Sequence, residues 1–166
     1  AFAVVEKNRN FLNYKKIKTK NPLGFLSTCA RSIRKTSNIQ AIAITGSSGK
    51  TSLKELLGQS LNKIFPTSYS KKSFNNKFGV PLSLFNIKRK DIFGVFEVGM
   101  DRKGEIDKLT KLIAPDLGVI TNISFAHIKN FKNLSGIASA KSEIINNIVD
   151  GGTIILNKDG KFFNFL

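Results

Sequence analysis

The sequence predicts an α/β fold, in which helices flank a mostly parallel sheet. Apolar strand-like runs alternate with helical patterns from residue 39 onward, and the connections between the runs are long enough for parallel crossovers. The 166 residues, 41% of them apolar and 23% charged, provide enough material for one domain, or for one domain and part of another.

The first 38 residues differ from the rest. A short apolar run predicts a buried strand at 2–5, and a second strand is expected at 14–18. Apolar spacing then predicts a helix over 22–35, with Pro22 near its start, where proline is tolerated. The polar residues 36–38 interrupt the pattern, and we place a domain boundary there.

The α/β alternation starts after this break. The 51–64 segment has an apolar stripe that is wide enough to pack on a sheet, formed by Leu53, Leu56, Leu57, Leu61 and Ile64. Residues 62–91 include the least regular stretch of the chain. The predicted strands are 39–45, 92–98, 117–121 and 153–157, and the predicted helices are 51–64, 104–113 and 134–149.

The strongest local motif is the run Thr45-Gly46-Ser47-Ser48-Gly49-Lys50-Thr51, between a buried strand and an amphipathic helix. Phosphate binding needs backbone N–H groups that converge on one point, and glycines permit that close approach. The helix amino terminus adds a favourable dipole. Because Ile44 stands where the usual P-loop pattern has its first glycine, this is a shortened G-x-x-G-K-T variant. The run predicts nucleotide binding, with the lysine on the outer phosphates and the threonine on Mg²⁺.

Two further candidates follow predicted strands. Glu97 is the acidic residue within the apolar run 92–99, at the end of the strand where ligands bind in open α/β sheets. A buried carboxylate is costly unless it is paired or bound to a metal, although a half-exposed glutamate at a strand end is the alternative. His127, the single histidine, follows another strand, and its position is compatible with either a metal ligand or a structural histidine.

Lys141 is expected to project from an apolar face. On a helix over 134–149, it lies in the middle of the sector that Ile137, Ile144 and Ile148 form. A lysine there either extends its amine to solvent, has a lowered pKa or is chemically modified. A neutral amine can add CO₂ to form a carbamate, whose oxygens bind metals.

Composition limits the function classes. The net charge of +16 attracts polyanions, but the lysines are scattered, and solvated lysine faces explain them better than a nucleic-acid interface. The single cysteine, Cys29, cannot form an internal disulfide, so a reduced cytoplasm is expected. No apolar run approaches the ~20 residues of a membrane span.

Five ordered motifs resemble the Mur ligase family in sequence and spacing. Lys54-Glu55 and Gly104-Glu105-Ile106 add to the resemblance. The motifs are Ala43 to Ser52, Asn75 to Pro81, Glu97 to Met100, Thr121-Asn122-Ile123 with Ala126-His127, and Ala140 to Ile144.

The resemblance implies an ATP-dependent amide ligase of peptidoglycan synthesis. Its substrates would be UDP-N-acetylmuramoyl-tripeptide and D-alanyl-D-alanine, joined through an acyl phosphate. Lys50 would neutralise the β- and γ-phosphates, and Thr51 and Glu97 would hold the nucleotide-bound Mg²⁺. His127 and carbamylated Lys141 would hold a second Mg²⁺. The other nucleotide-site residues would be Gly46, Ser47, Ser48, Gly49, Ser52, Asn75, Asn76 and Asn122.

By the same resemblance, residues 1–38 would be the tail of a UDP-substrate-binding domain. Residues 39–166 would form the first half of a central ATP-binding domain, and a third domain would be absent. We therefore expect a cytoplasmic bacterial protein, monomeric and without a nucleic-acid partner, that cannot complete ligation as this chain alone. The alternatives are another Mur enzyme, a folylpolyglutamate synthase, a P-loop switch protein and a basic nucleic-acid-binding module.

Overall fold

The computed structural model describes residues 2–6, 15–125, 130–131 and 133–166. The elements follow the predicted α/β alternation. The strands are β1 Phe2–Glu6, β2 Lys15–Thr19, β3 Gln40–Thr45, β4 Thr67–Tyr69, β5 Phe93–Glu97, β6 Leu117–Ile120 and β7 Thr153–Leu156. The helices are α1 Pro22–Thr36, α2 Lys50–Asn62, α3 Gly79–Leu84, α4 Glu105–Ile113 and α5 Leu134–Ser142.

The main sheet has five strands in the order β4-β5-β3-β6-β7, and every pair in it is parallel. Strands β1 and β2 form a separate parallel pair. Because the carboxyl ends of parallel strands meet at one edge, the segments that follow β3, β5 and β6 come together there. This confirms the predicted fold class.

The two faces of the sheet are covered differently. On one face, Ala41 and Ala43 of β3 pack in the larger core cluster with residues of α1, α3, α4 and α5. On the other face, Ile42 and Ile44 pack beneath α2. Successive strand residues point to opposite faces, so the continuous apolar run of β3 is what a strand buried on both sides requires.

Helix α2 packs most of its predicted stripe on the sheet, because Leu53, Leu57 and Leu61 contact the cluster that contains Ile42 and Ile44. Leu56 and Ile64, expected in the packed stripe, are 66% and 74% exposed. Lys54 and Gly58 are the fully buried residues of α2. A Cβ at Gly58 would lie 2.6 Å from the Tyr69 ring, so the missing side chain leaves room for this ring against the helix.

Two further differences concern the local structure. The helix predicted over 134–149 is α-helical only to Ser142 and continues as a 3₁₀ helix over Glu143–Asn147. The Glu143 carboxylate accepts hydrogen bonds from the amide N–H groups of Gly104 and Asp107, and these contacts tie the tighter turn to the start of α4. Strand β4 and helix α3 lie in the stretch from 62 to 91, where no element was predicted.

Helix α1 packs on the main domain. Ala30 is fully buried in the larger core cluster. The Arg34 guanidinium donates to the carbonyls of Ile113 and Ala114, at 2.6 and 2.9 Å, and contacts the Asp116 carboxylate at 3.2 Å. The helix that precedes the predicted boundary is therefore part of the same core, while the assignment of 1–38 to a preceding domain stays a prediction.

Candidate nucleotide-binding site

The loop 46–51 joins β3 to α2 in the geometry that the motif requires. Gly46 and Gly49 have φ values of +148° and +78°, in a region that other residues rarely adopt. Gly49 is the N-cap of α2, and no side chain caps that end. The first amide N–H groups of α2 therefore remain available to an anion. The Lys50 amine donates to the Gly46 carbonyl at 2.8 Å, so it lies across the loop.

A second segment, which follows β6, supports the loop. The Asn122 side chain accepts from the Ser48 amide at 3.0 Å and donates to the Ser48 hydroxyl at 2.7 Å. The Thr121 hydroxyl donates to the Ser48 carbonyl, and the Ser47 hydroxyl donates to the Ser124 carbonyl at 2.9 Å. Asn122, predicted to line the nucleotide site, thus contacts the loop directly and holds its shape.

The Glu97 carboxylate lies beside the loop at the carboxyl end of β5, as predicted. Its residue is 1% exposed. The Thr51 hydroxyl donates to Oε2 at 2.8 Å, and the Asn75 amide donates to Oε1 at 2.7 Å. Both oxygens therefore have partners, which offsets the cost of burial. The half-exposed alternative for Glu97 is wrong.

Lys141 is buried, as predicted for its apolar sector. The residue is 2% exposed, and no described residue accepts a hydrogen bond from its amine. Burial and, to a smaller extent, the nearby positive charge of Lys50 together lower the pKa of this amine to about 7. Burial also lowers the pKa of Lys50, while the Glu97 carboxylate opposes that shift. A substantial fraction of Lys141 is therefore neutral near pH 7.

One cavity has a volume of about 420 Å³, and another, beside the loop, has a volume of about 480 Å³. The former opens at the amino ends of the strands, near Asp116 and Leu117, away from the loop. The latter includes five of the predicted site residues in its lining. It is lined by Gly46, Lys50, Asn75, Asn76, Lys77, Phe78, Gly99, Met100, Asp101, Glu105, Lys108, Leu109 and Lys141.

The remaining predicted residues have different positions. The Asn76 side chain accepts from the amides of Phe78 and Gly79, at 3.1 and 3.0 Å, and so supports the start of α3. Ser52 lies on the exposed side of the first turn of α2. His127 lies outside the described residues, and its role stays a prediction.

Several charged residues of the cavity were not predicted. Glu105 accepts from the amides of Asp101 and Arg102, and Lys108 lies one turn further along α4. Their position after β5, at the ligand-binding edge of the sheet, was the available signal. Within the described ranges, no group of three His, Cys, Asp or Glu residues is placed to hold a metal ion.

Helices long and apolar enough to cross a bilayer are not found in the described part of the chain. The parallel sheet, the glycine-bordered loop and the buried carboxylate beside it define an α/β domain of the P-loop class. The chain belongs to the Mur ligase family, because the model of the Mur ligase middle domain matches residues 44–166.

Curated relatives carry the name UDP-N-acetylmuramoyl-tripeptide–D-alanyl-D-alanine ligase. The protein from Buchnera aphidicola subsp. Acyrthosiphon pisum is 39% identical over 132 residues, covering 80% of this chain and 29% of the relative. The Escherichia coli protein is 36% identical over 120 residues, covering 72% of this chain and 26% of the relative.

Solved structures agree with the fold. A crystal structure of MurF from Acinetobacter baumannii has a TM-score of 0.88 at 32% identity, covering 98% of this chain and 35% of that one. MurF ligase from Thermotoga maritima in complex with ADP has a TM-score of 0.84 at 26% identity, covering 96% and 37%. This chain therefore spans about a third of the length of the proteins that it matches.

Proposed function

We propose that this chain is the ATP-binding part of an amide ligase of peptidoglycan synthesis. The ligase joins D-alanyl-D-alanine to UDP-N-acetylmuramoyl-tripeptide in the bacterial cytoplasm and acts as a monomer. The names of the relatives support the substrates. The single observation that supports ATP chemistry is one cavity beside the glycine loop, which brings Lys50 and Lys141 together next to the Glu97 carboxylate.

The reaction has two steps. The terminal carboxylate of the tripeptide attacks the γ-phosphorus of ATP, which forms an acyl phosphate and releases ADP. The dipeptide amine then attacks the acyl carbon, and inorganic phosphate leaves as the amide bond forms. Phosphoryl transfer depends mainly on positioning and on neutralising charge.

The residues of the loop hold the triphosphate. Amide N–H groups of 49–51, at the start of α2, face the phosphates, and Lys50 exchanges its contact with the Gly46 carbonyl for the β- and γ-phosphate oxygens. Its charge then offsets the negative charge that develops on them. Ser47 and Ser48 keep the loop in shape through their contacts with the segment after β6.

The donors at Glu97 fit Mg²⁺. A carboxylate and a hydroxyl, with oxygens 2.8 Å apart, are hard ligands, and Mg²⁺ usually takes one or two protein oxygens together with phosphates and water. Thr51 and Glu97 would hold the ion, which when bound would neutralise phosphate charge. The Asn75 amide keeps one carboxylate oxygen oriented.

Lys141 is proposed to carry a carbamate. Its neutral amine attacks CO₂, a nitrogen–carbon bond forms as one C=O π pair moves to oxygen, and the nitrogen loses a proton, so the neutral amine becomes an anion. Such a group, with His127, would hold a second Mg²⁺ beside the acyl phosphate. The lowered pKa of Lys141 supports this proposal, because only the neutral amine reacts with CO₂.

The test uses two measurements. Isothermal titration of this chain with ATP and Mg²⁺ should give saturable binding that Lys50→Ala abolishes and that Lys111→Ala, an exposed control on α4, leaves unchanged. A full-length protein that contains this segment should release ADP and form the amide faster with D-alanyl-D-alanine than with other amines. Preference for glutamate would instead indicate a folylpolyglutamate synthase, and equal binding by Lys50→Ala would contradict the ATP site.

A further inference from the structure

Lys54 is a buried cation that the reaction does not use. It lies on α2, one turn after Thr51, and its residue is 0% exposed. Its amine donates to the carbonyls of Ser70 and Lys72, both at 2.8 Å, and to the Glu55 carboxylate at 2.5 Å. An ammonium group has three N–H donors, so all of them are used. A buried charge is retained only when it is paired in this way.

The two carbonyls belong to the segment 70–76, which follows β4. Lys72 has a φ of +49°, a left-handed conformation that is unfavourable for a non-glycine residue. A turn that contains such a residue needs contacts that compensate for the cost. The Lys54 amine binds both sides of this turn, at residues 70 and 72, and so supplies those contacts.

The same segment ends at the Glu97 carboxylate. The Asn75 carbonyl accepts from the Gly99 amide at 2.8 Å, and the Asn75 side chain donates to Glu97 Oε1 at 2.7 Å. The Ser70 hydroxyl contacts the Glu97 amide at 3.4 Å. The segment therefore runs along the carboxyl end of β5, and its position determines where the Asn75 amide lies.

Two contacts from one turn of α2 thus converge on a single carboxylate. Thr51 donates directly to Oε2 of Glu97. Lys54 acts on the other oxygen indirectly, because it holds the segment that brings Asn75 to Oε1. Together, α2, the segment 70–76 and Glu97 form a closed ring of contacts.

We propose that Lys54 is a positioning residue for the metal-holding carboxylate. Lys54 fixes the position of the turn at 70–72 through its hydrogen bonds. It thereby maintains the hydrogen bond from Asn75 to Glu97, which orients the carboxylate toward the nucleotide-bound Mg²⁺. The inference rests on the proposed function, in which Glu97 holds that ion. It gives the Lys54-Glu55 pair a role at the site, which the sequence motif alone did not provide.

The test compares Lys54→Met with the wild-type chain and with Lys63→Met, an exposed lysine just after α2. ATP affinity is measured by isothermal titration with excess EDTA and again with Mg²⁺. In Lys54→Met, the increase in ATP affinity that Mg²⁺ produces should be about tenfold smaller than in the wild type, as expected for a residue that orients a metal ligand. The ATP affinity of Lys54→Met in EDTA should stay within about twofold of the wild-type value. Lys63→Met should match wild type in both.

Limited trypsin digestion provides a readout without nucleotide. Peptide mapping should show faster cleavage after Lys71 and Lys72 in Lys54→Met, because the turn is released, and no change in Lys63→Met. Faster cleavage with a full Mg²⁺ gain would show that Lys54 stabilises the turn only, and this overturns the inference. Unchanged cleavage overturns it as well.

If Lys54→Met does not fold, a second variant tests whether the segment 70–76 acts on Glu97 through Asn75. Asn75→Ala leaves Lys54 and the turn in place but removes the contact with Glu97. It should lose the Mg²⁺ gain without faster cleavage at 71–72, and retention of the full gain overturns the inference. A wild-type chain that binds ATP equally with and without Mg²⁺ overturns the proposed function and this inference together. If the wild type shows the Mg²⁺-dependent increase in ATP affinity and the variants keep it in full, only the inference is overturned.

Discussion

Glu97 connects three segments that are distant in the sequence. Its carboxylate accepts from Thr51 of the loop helix and from Asn75 of the segment after β4, and it ends the strand beside β3. The residue pattern predicted its place at the ligand edge, since a lone acid in an apolar run is costly without a partner. The identity of the partners depends on tertiary contacts and was not predictable.

Replacing Glu97 with Gln tests the metal role at this residue. The amide keeps the size of the side chain but removes the negative charge, so ATP affinity in the presence of Mg²⁺ should fall by at least about tenfold. Isothermal titration measures this effect, and the affinity in EDTA serves as the internal control. Equal losses with and without Mg²⁺ would indicate a structural role.

Lys141 gives a pH-dependent prediction. The pKa of its amine is lowered from 10.5 to about 7 in the folded chain, so between these values the unfolded chain binds more protons and the stability of the folded chain rises with pH. Lys141→Met removes this penalty and should stabilise the CO₂-free chain near about pH 7, by at most about 5 kcal/mol at about 1.4 kcal/mol per pH unit. The gain should shrink toward about pH 10.

Urea denaturation at the two pH values measures this difference. Lys111→Met, which alters an exposed lysine, should show no comparable dependence on pH. A Lys141→Met chain that is destabilised by the same amount at both values would show that the amine is not buried as a costly cation.

At the scale of elements, the helices and strands differ in how far the sequence predicts them. Strands β3, β5, β6 and β7 have apolar runs typical of a buried parallel sheet, and the structure confirms them. Strand β4 has three residues and α3 has six. Elements this short do not show a recognisable periodicity of apolar residues. The α2 stripe is confirmed at Leu53, Leu57 and Leu61 and wrong at Leu56 and Ile64, which are exposed.

The loop element gives a matched pair of glycine variants. A Cβ at Gly46 would lie 1.8 Å from Thr121 Oγ1, whereas one at Gly49 has no neighbour within 4 Å. Gly49→Ala should therefore cost only the strain of its positive φ, about 1–2 kcal/mol. Gly46→Ala should cost more, about 2–4 kcal/mol, because a clash is added to strain.

Urea denaturation measures both costs, and titration with ATP and Mg²⁺ shows whether the loop keeps its function. Gly46→Ala should also bind ATP more weakly than Gly49→Ala, since Thr121 and the loop must separate. Equal stability and equal affinity of the two variants would contradict the close approach of the loop to the segment after β6.

At the scale of the whole molecule, Arg34 joins α1 to the sheet domain. Its guanidinium contacts the end of α4 and the Asp116 carboxylate, and Asp116 in turn accepts from the Ala41 amide of β3. The polar break at 36–38 predicted a boundary. Long-range contacts of this kind cannot be read from a local break, because the partners lie about 80 residues further along the chain.

Removing the Arg34 guanidinium should weaken the attachment of α1 to the sheet domain. Arg34→Met removes the donor of the two carbonyls and leaves the Asp116 carboxylate with the Ala41 amide, at a cost of about 1–3 kcal/mol. Hydrogen exchange should accelerate in α1, while Arg31→Met, an exposed control on the same helix, should leave it unchanged. Equal exchange in the two variants would show that apolar packing alone holds α1.

The central claim is that the loop 46–51 surrounds a triphosphate beside Glu97. A crystal structure of this chain with a non-hydrolysable ATP analogue and Mg²⁺ tests the claim most directly. The account predicts phosphates on the amides of 49–51 and Lys50, with Mg²⁺ about 2.0–2.1 Å from oxygens of Thr51 and Glu97. An analogue bound elsewhere, with the loop empty and Thr51 still donating to Glu97, would contradict it.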